Sequence, residues 1–141
     1  MVDPGAGDAV SGAGTGEPKG AAALWRALVG ARMTLPAPLL ARYPELASAC
    51  WRRGGLFVRI GGWCLGQTTV SAITLWHTIW LAPGSPFADE LLLHEFRHVE
   101  QFGANPAFPV LYLWESVTRG YVRNRFEVDA REYASARVRR R

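Results

Sequence analysis

The chain has 141 residues, 49% of them hydrophobic and 20% charged, with a formal net charge of +4. That length suits one domain with a modest core, and two cysteines exclude a disulfide framework. No stretch reaches the roughly 18–20 consecutive apolar residues of a membrane span.

Residues 1–20 hold six Gly, two Pro and almost no large apolar side chain. Such a segment buries too little apolar surface to offset the cost of ordering and is expected to be a disordered tail. It has neither the basic start nor the apolar run of a signal peptide, so the expected location is cytoplasmic. The tail carries Asp3, Asp8 and Glu17 against Lys19, which leaves about +6 on residues 21–141, the expected single domain. The basic residues are nearly all Arg, and Arg137, Arg139, Arg140 and Arg141 crowd the C-terminus. That end suits a solvated helix terminus, where cations complement the dipole, better than a nucleic-acid site.

Leu24 to Arg32 reads as a short helix stopped by Pro36 and Pro38, and residues 38–50 as a second one weakened at Pro44. Leu56–Ile60 is a β-branched and aromatic run closed by Gly61-Gly62, the pattern of a strand and turn. Trp63–Thr69 is expected to return as a second strand. Residues 72–81 read as a third, ended by Pro83-Gly84, with Ile73, Leu75, His77, Ile79 and Leu81 alternating with Thr74, Trp76, Thr78 and Trp80. Both faces are largely apolar, so one can line a cleft. His77 is read as an ordinary strand residue, the six Trp as core or cleft lining, and Cys50 and Cys64 as reduced, buried thiols.

Ser85-Pro86 followed by Asp89 and Glu90 has the signature of a helix start, with Ser85 as cap, Pro86 at the first position and acids in the first turn. With Gly103 as the stop, the helix covers 86–102. Within it stands His94-Glu95-Phe96-Arg97-His98, a HExxH pentad. Two His four apart share one helical face and can reach one metal ion, while the Glu after the first can hold a water. At about 100° per residue, Leu92, Phe96 and Val99 cluster opposite His94, His98 and Gln101, with Glu95 between. The apolar side can enter a core while the His pair faces a cleft. The chemistry indicated is zinc-assisted attack of water on an amide, with Glu95 as base.

Zinc with two imidazoles requires a third protein ligand. No His follows His98, and both Cys precede the pentad. Asn105-Pro106 is expected to open a further helix and Gly120 to close it. The segment Asn124-Arg125-Phe126-Glu127-Val128-Asp129-Ala130 then opens another. Glu127 shares a face with Ala130, Ala134 and Val138, small enough for close helix approach, and is the favoured ligand. Asp129 and Glu132 point elsewhere on that helix. A competing reading makes Asn124 and Glu127 a capping box that only satisfies its own helix terminus.

HEFRHVEQF followed by NRFEVDA resembles the small gluzincin-type zinc metallopeptidases, the minigluzincin type and bacterial HExxH domains like it. The resemblance spans roughly residues 56–136. It implies a zincin-like α+β fold, with a small antiparallel or mixed sheet on the HExxH helix and a glutamate-bearing helix after it. It further implies His94, His98 and Glu127 as Zn²⁺ ligands, Glu95 as general base, and a peptide held along the sheet's edge strand. Many gluzincins carry an Asp four residues after the ligand Glu, bracing a metal-bound His; here that position is Arg131. Tyr112 and Tyr121 are both candidates to stabilise the developing oxyanion. A peptide or protein substrate is the expected partner. The rivals are a non-catalytic binding or assembly module of the same fold, for which the retained Glu95 has no use, and a basic nucleic-acid binder.

Overall fold

The computed structural model describes residues 19–64 and 70–140. Among them are six α-helices and a four-stranded sheet, an α+β arrangement. Helix α1 (Lys19–Val29) leads into strand β1 (Ala31–Arg32). Helix α2 (Ala37–Arg42) and a 3₁₀ turn (Pro44–Ser48) precede strand β2 (Cys50–Arg53). Helix α3 (Leu56–Cys64) is followed by strands β3 (Ala72–Leu75) and β4 (Thr78–Leu81). Helices α4 (Asp89–Ala104), α5 (Phe108–Arg119) and α6 (Arg125–Arg139) complete the chain, with a 3₁₀ turn at Tyr121–Arg123 between the last two. No helix is long and apolar enough to cross a membrane among the described residues.

The sheet runs β1-β2-β4-β3. β1 is antiparallel to β2, β2 parallel to β4, and β4 antiparallel to β3, so β3 is an edge strand. Helix α4 packs on β3 and β4 on one side and on α6 on the other. Leu92, Leu93, Phe96 and Val99 of α4 join Trp51, Ile79 and Leu81 of the sheet, Leu39 and Tyr43, and Ala134 of α6 in one core. Two polar ties hold the frame at its corners. Asp89, in the first turn of α4, accepts from Arg42 (2.7 Å) and from the Tyr43 hydroxyl (3.1 Å). Arg137, near the end of α6, pairs with Glu45.

Several local expectations are corrected. Lys19 and Gly20 already belong to α1, so the tail boundary falls earlier than residue 20; residues 1–18 lie outside the described set. Gly30, with φ +76°, ends α1 at Val29, and Ala31–Arg32 leave the helix to pair with β2. A Cβ on Gly30 would lie 2.6 Å from the Gly54 carbonyl oxygen, so only glycine permits this approach. Pro44 divides the expected second helix, and Cys50 starts a strand. Leu56–Ile60 is helical, with Gly61-Gly62 inside α3; Phe57 stacks on Trp80 at 5.0 Å. Four apolar residues among five are too few to show a period of their own, and tertiary packing decided the element. Trp63 and Cys64 finish α3, and residues 65–69 lie outside the described set.

Residues 72–81 form not one strand but a hairpin, turning at Trp76-His77 between Leu75 and Thr78. Trp76 takes φ +50° there, and neither turn residue is a usual turn former. His77 is exposed on that loop. Helix α4 starts at Asp89 behind Ala88, not at Pro86. The Ser85 hydroxyl donates to the Ser71 carbonyl (2.8 Å) instead of capping. The helix also runs through Gly103 to Ala104. Trp51 and Trp80 are buried, but Trp25, Trp76 and Trp114 are exposed. Cys50 is a free thiol, half-buried rather than buried.

Candidate metal centre

Helix α4 delivers His94, Glu95 and His98, as the pentad's spacing requires. Helix α6 brings Glu127 over them. Its close approach follows from Ala130 and Ala134, both buried against α4's side of the core. Asn124 caps α6 by accepting from the Phe126 amide (2.9 Å), and its own amide donates to the Tyr121 carbonyl oxygen (3.3 Å). Glu127 is therefore not the second half of a capping box; it turns to the His pair.

The three side chains are close. His98 Nε2 lies 3.2 Å from His94 Nε2 and 3.2 Å from Glu127 Oε1, and His94 Nε2 lies 3.3 Å from Glu127 Oε2. Together they form a group that could hold a metal ion. Asp129 and Glu132 are not in that group, and neither is His77. Glu127 is 1% exposed, and its Oε2 faces the His94 ring nitrogen at 3.3 Å. A buried carboxylate needs a compensating positive partner, a protonated imidazole or a cation.

The tautomer of His98 follows from its neighbours. Gln101 Nε2 donates to the Phe126 carbonyl (3.1 Å) and to Asp129 Oδ2 (2.8 Å). A carbonyl cannot donate, so the amide's orientation is set and its Oε1 faces His98 Nδ1 at 2.8 Å. That nitrogen carries the hydrogen. Neutral His98 thus points an unprotonated Nε2 at His94 and at a carboxylate, an arrangement that needs a proton or a metal between the partners. Behind Gln101, Arg97 holds Asp129 through two bonds of 2.7 and 3.2 Å. The brace on an imidazole thus runs through Gln101 to His98. Arg131, at the position where the gluzincins carry Asp, instead donates to the Val122 carbonyl (2.6 Å). The sequence placed Gln101 on the His face, but its link to Asp129 and Arg97 depends on how two helices meet.

Protonation reflects the same contacts. Burial of Glu127 opposes ionisation, but hydrogen bonds from His94, His98 and Tyr112 outweigh it and hold its carboxyl well below the usual range. Burial lowers the pKa of His98, yet Glu127 and Glu95 reverse this and raise it overall. Tyr112 donates to Glu127 Oε1 at 2.6 Å. Burial, with the charge of Glu127, pushes the phenols of Tyr112 and Tyr121 upward, so both remain donors.

The group lies in a cleft of about 710 Å³ whose lining includes Val70–Leu75, Pro109, Tyr112, Leu113, Tyr121 and Arg131. Thr74 of edge strand β3 donates to Glu95 Oε2 at 2.6 Å. Glu95 is buried and lines the cleft beside the His pair. Phe108 packs on Phe102 (4.5 Å), Phe126 (4.9 Å) and Tyr112 (5.7 Å), an aromatic floor that extends to His98.

Compared with known proteins, the chain matches no family model, no curated protein and no solved structure. The gluzincin resemblance therefore rests on the chain's own residues.

Proposed function

We propose that this chain is a zinc-dependent peptidase of the gluzincin type, with a zincin-like fold, in which His94, His98 and Glu127 hold the metal. The separations among their ligand atoms carry this reading. Tetrahedral zinc with bonds of about 2.0–2.1 Å requires ligand–ligand separations of about 3.3 Å. The two Nε2 atoms lie 3.2 Å apart, His98 Nε2 lies 3.2 Å from Glu127 Oε1 and His94 Nε2 lies 3.3 Å from Oε2, so each imidazole faces one oxygen of the same carboxylate. Two imidazoles and one carboxylate are also the donor set of catalytic zinc, which leaves a position open. Bound there, zinc supplies Lewis-acid polarisation of a carbonyl and lowers the pKa of water.

The protein's own groups perform the rest. Glu95, held by Thr74 through one oxygen, takes a proton from the attacking water and delivers it to the leaving amine. Among the described residues the outer edge of β3 carries no neighbouring strand; β3 lines the same cleft and can align an extended peptide by main-chain hydrogen bonding. The Tyr112 hydroxyl donates to Glu127 at 2.6 Å, and the Tyr121 phenol also faces that carboxylate, so both stand beside the ligands as donors to a developing oxyanion. Glu95→Gln tests the reaction directly: it keeps shape and metal ligands but removes the base. Peptide hydrolysis should fall about 10²–10⁴-fold while the bound metal is retained. Equal cleavage of a peptide library by wild type and variant would refute the assignment of Glu95.

A further inference from the structure

Helix α5 is amphipathic in the reverse sense. Phe108 and Glu115 are buried beneath it. Its outer side carries Val110, Leu113, Trp114 and Val117, exposed by 72, 64, 67 and 76%. These positions follow the i, i+3, i+4, i+7 spacing of an apolar helical stripe, and no charge interrupts them. Val122, 72% exposed, follows beyond the helix end. Isolated exposed apolar residues need no explanation, but a continuous stripe marks an interaction surface.

Charge and hydrogen bonding choose the occupant. Arg119, Arg123 and Arg125 lie exposed at the C-terminal end of the stripe. Glu115 is the only acid in residues 105–126, and it is buried between Arg119 (3.4 Å) and Arg125 (3.5 Å). A second copy seated on α5 would bring more arginines and no exposed carboxylate from this segment. The face also offers few hydrogen bonds: the Thr118 hydroxyl donates back to the Trp114 carbonyl (2.7 Å). Protein interfaces typically carry about one hydrogen bond per 100–200 Å², whereas hydrocarbon requires none. An exposed indole suits the level of the lipid headgroups.

We propose that the outer face of α5 seats the protein on an anionic lipid bilayer. The stripe enters the acyl boundary, and Arg119, Arg123 and Arg125 meet headgroup phosphates. At 12 residues the helix lies in the surface plane. Pro109 and Leu113 also line the cleft, so this seating brings the cleft mouth to the bilayer.

The full chain should co-float with vesicles of phosphatidylcholine mixed with phosphatidylglycerol and far less with phosphatidylcholine alone. Leu113→Gln with Trp114→Gln should reduce the partition about tenfold or more, and each of Arg119→Gln and Arg123→Gln about fivefold. Leu113, Trp114 and Arg123 are exposed, so melting of the double variant and of Arg123→Gln should be unchanged; Arg119→Gln also removes a partner of buried Glu115 and is read against Arg123→Gln. Mixed vesicles should shift wild-type tryptophan emission to the blue, and Trp114→Phe should remove most of that shift. Absence of binding to mixed vesicles overturns the proposal. So does binding that survives the α5 double variant, which would indicate general attraction by the other arginines. A wild-type dimer that the same variant dissociates would assign the face to a second copy and overturn it equally.

Discussion

Helices α5 and α6 are consecutive and border the same cleft, yet they are held in opposite ways. α6 is built into the frame: Ala130 and Ala134 are buried, Asp129 is pinned by Arg97, and Arg137 reaches Glu45. α5 turns its apolar side outward. Its polar ties include Tyr112 to Glu127, Glu115 to Arg125, and Asn124, the cap of α6, to the Tyr112 carbonyl and the Ser116 hydroxyl. The core thus positions the glutamate, and the glutamate helps position the neighbouring wall. A metal ion bound at Glu127 would bear on both helices.

The sharpest way to break this contrast is Glu127→Ala. It removes a ligand and the anchor of Tyr112 at once. Zinc affinity, read by competition with a chromophoric chelator, should fall by more than the roughly 10–100-fold expected for residues that only support a ligand. Wild-type affinity in this variant would reduce α6 to a packing helix.

Gln101→Ala should come next. It frees the His98 ring to rotate and should weaken zinc binding about 10–100-fold, with Asp129→Asn following in the same direction. If melting falls while zinc affinity holds, the chain from Arg97 to His98 serves packing alone.

Chelation should then separate the two helices without any substitution. Metal removal should lower the melting temperature, and added zinc should restore it. Amide hydrogen exchange should rise more in α5 than in α4 or α6. A uniform rise along all three helices would show that α5 is as firmly built in as its neighbour.

The smallest expected effect is on pH dependence. In metal-free protein Glu127 titrates below its ordinary 4.5, so its contribution is present above that value and lost as pH falls through the lower folded one. His98 titrates above its ordinary 6.5, so its contribution is full below that value and lost as pH rises through the higher folded one. Stability from this pair is therefore greatest between pH 4.5 and 6.5. Zinc replaces the proton on His98 and should move the optimum upward. Identical melting profiles with and without zinc would contradict the pairing.

The site was more legible in the sequence than the sheet was. His94, Glu95 and His98 could be read because one helix sets their spacing. Gln101 fell on the same face by the same rule. Glu127 was readable as the favoured candidate, with a capping box as the competing reading until the Asn124 amide was seen to donate to Tyr121 and Glu127 to face the His pair. Leu56–Ile60 and the turn at Trp76-His77 were misread for one reason: apolar residues on every side erase the period that distinguishes helix, strand and turn. The support from Asp129 and Arg97 joins residues 32 positions apart, a contact that no local pattern encodes.

Asn124 is 0% exposed and serves two helices with one side chain. Its oxygen starts α6, and its nitrogen reaches back to the Tyr112 carbonyl at 3.1 Å. Aspartate starts a helix as well as asparagine does, so ordinary preference treats the two alike. Here they are not alike, because a carbonyl cannot donate to the oxygen that would replace that nitrogen. The bend between the last two helices therefore depends on the identity of one atom, and a substitution conservative in shape would leave α6 begun and α5 unmoored.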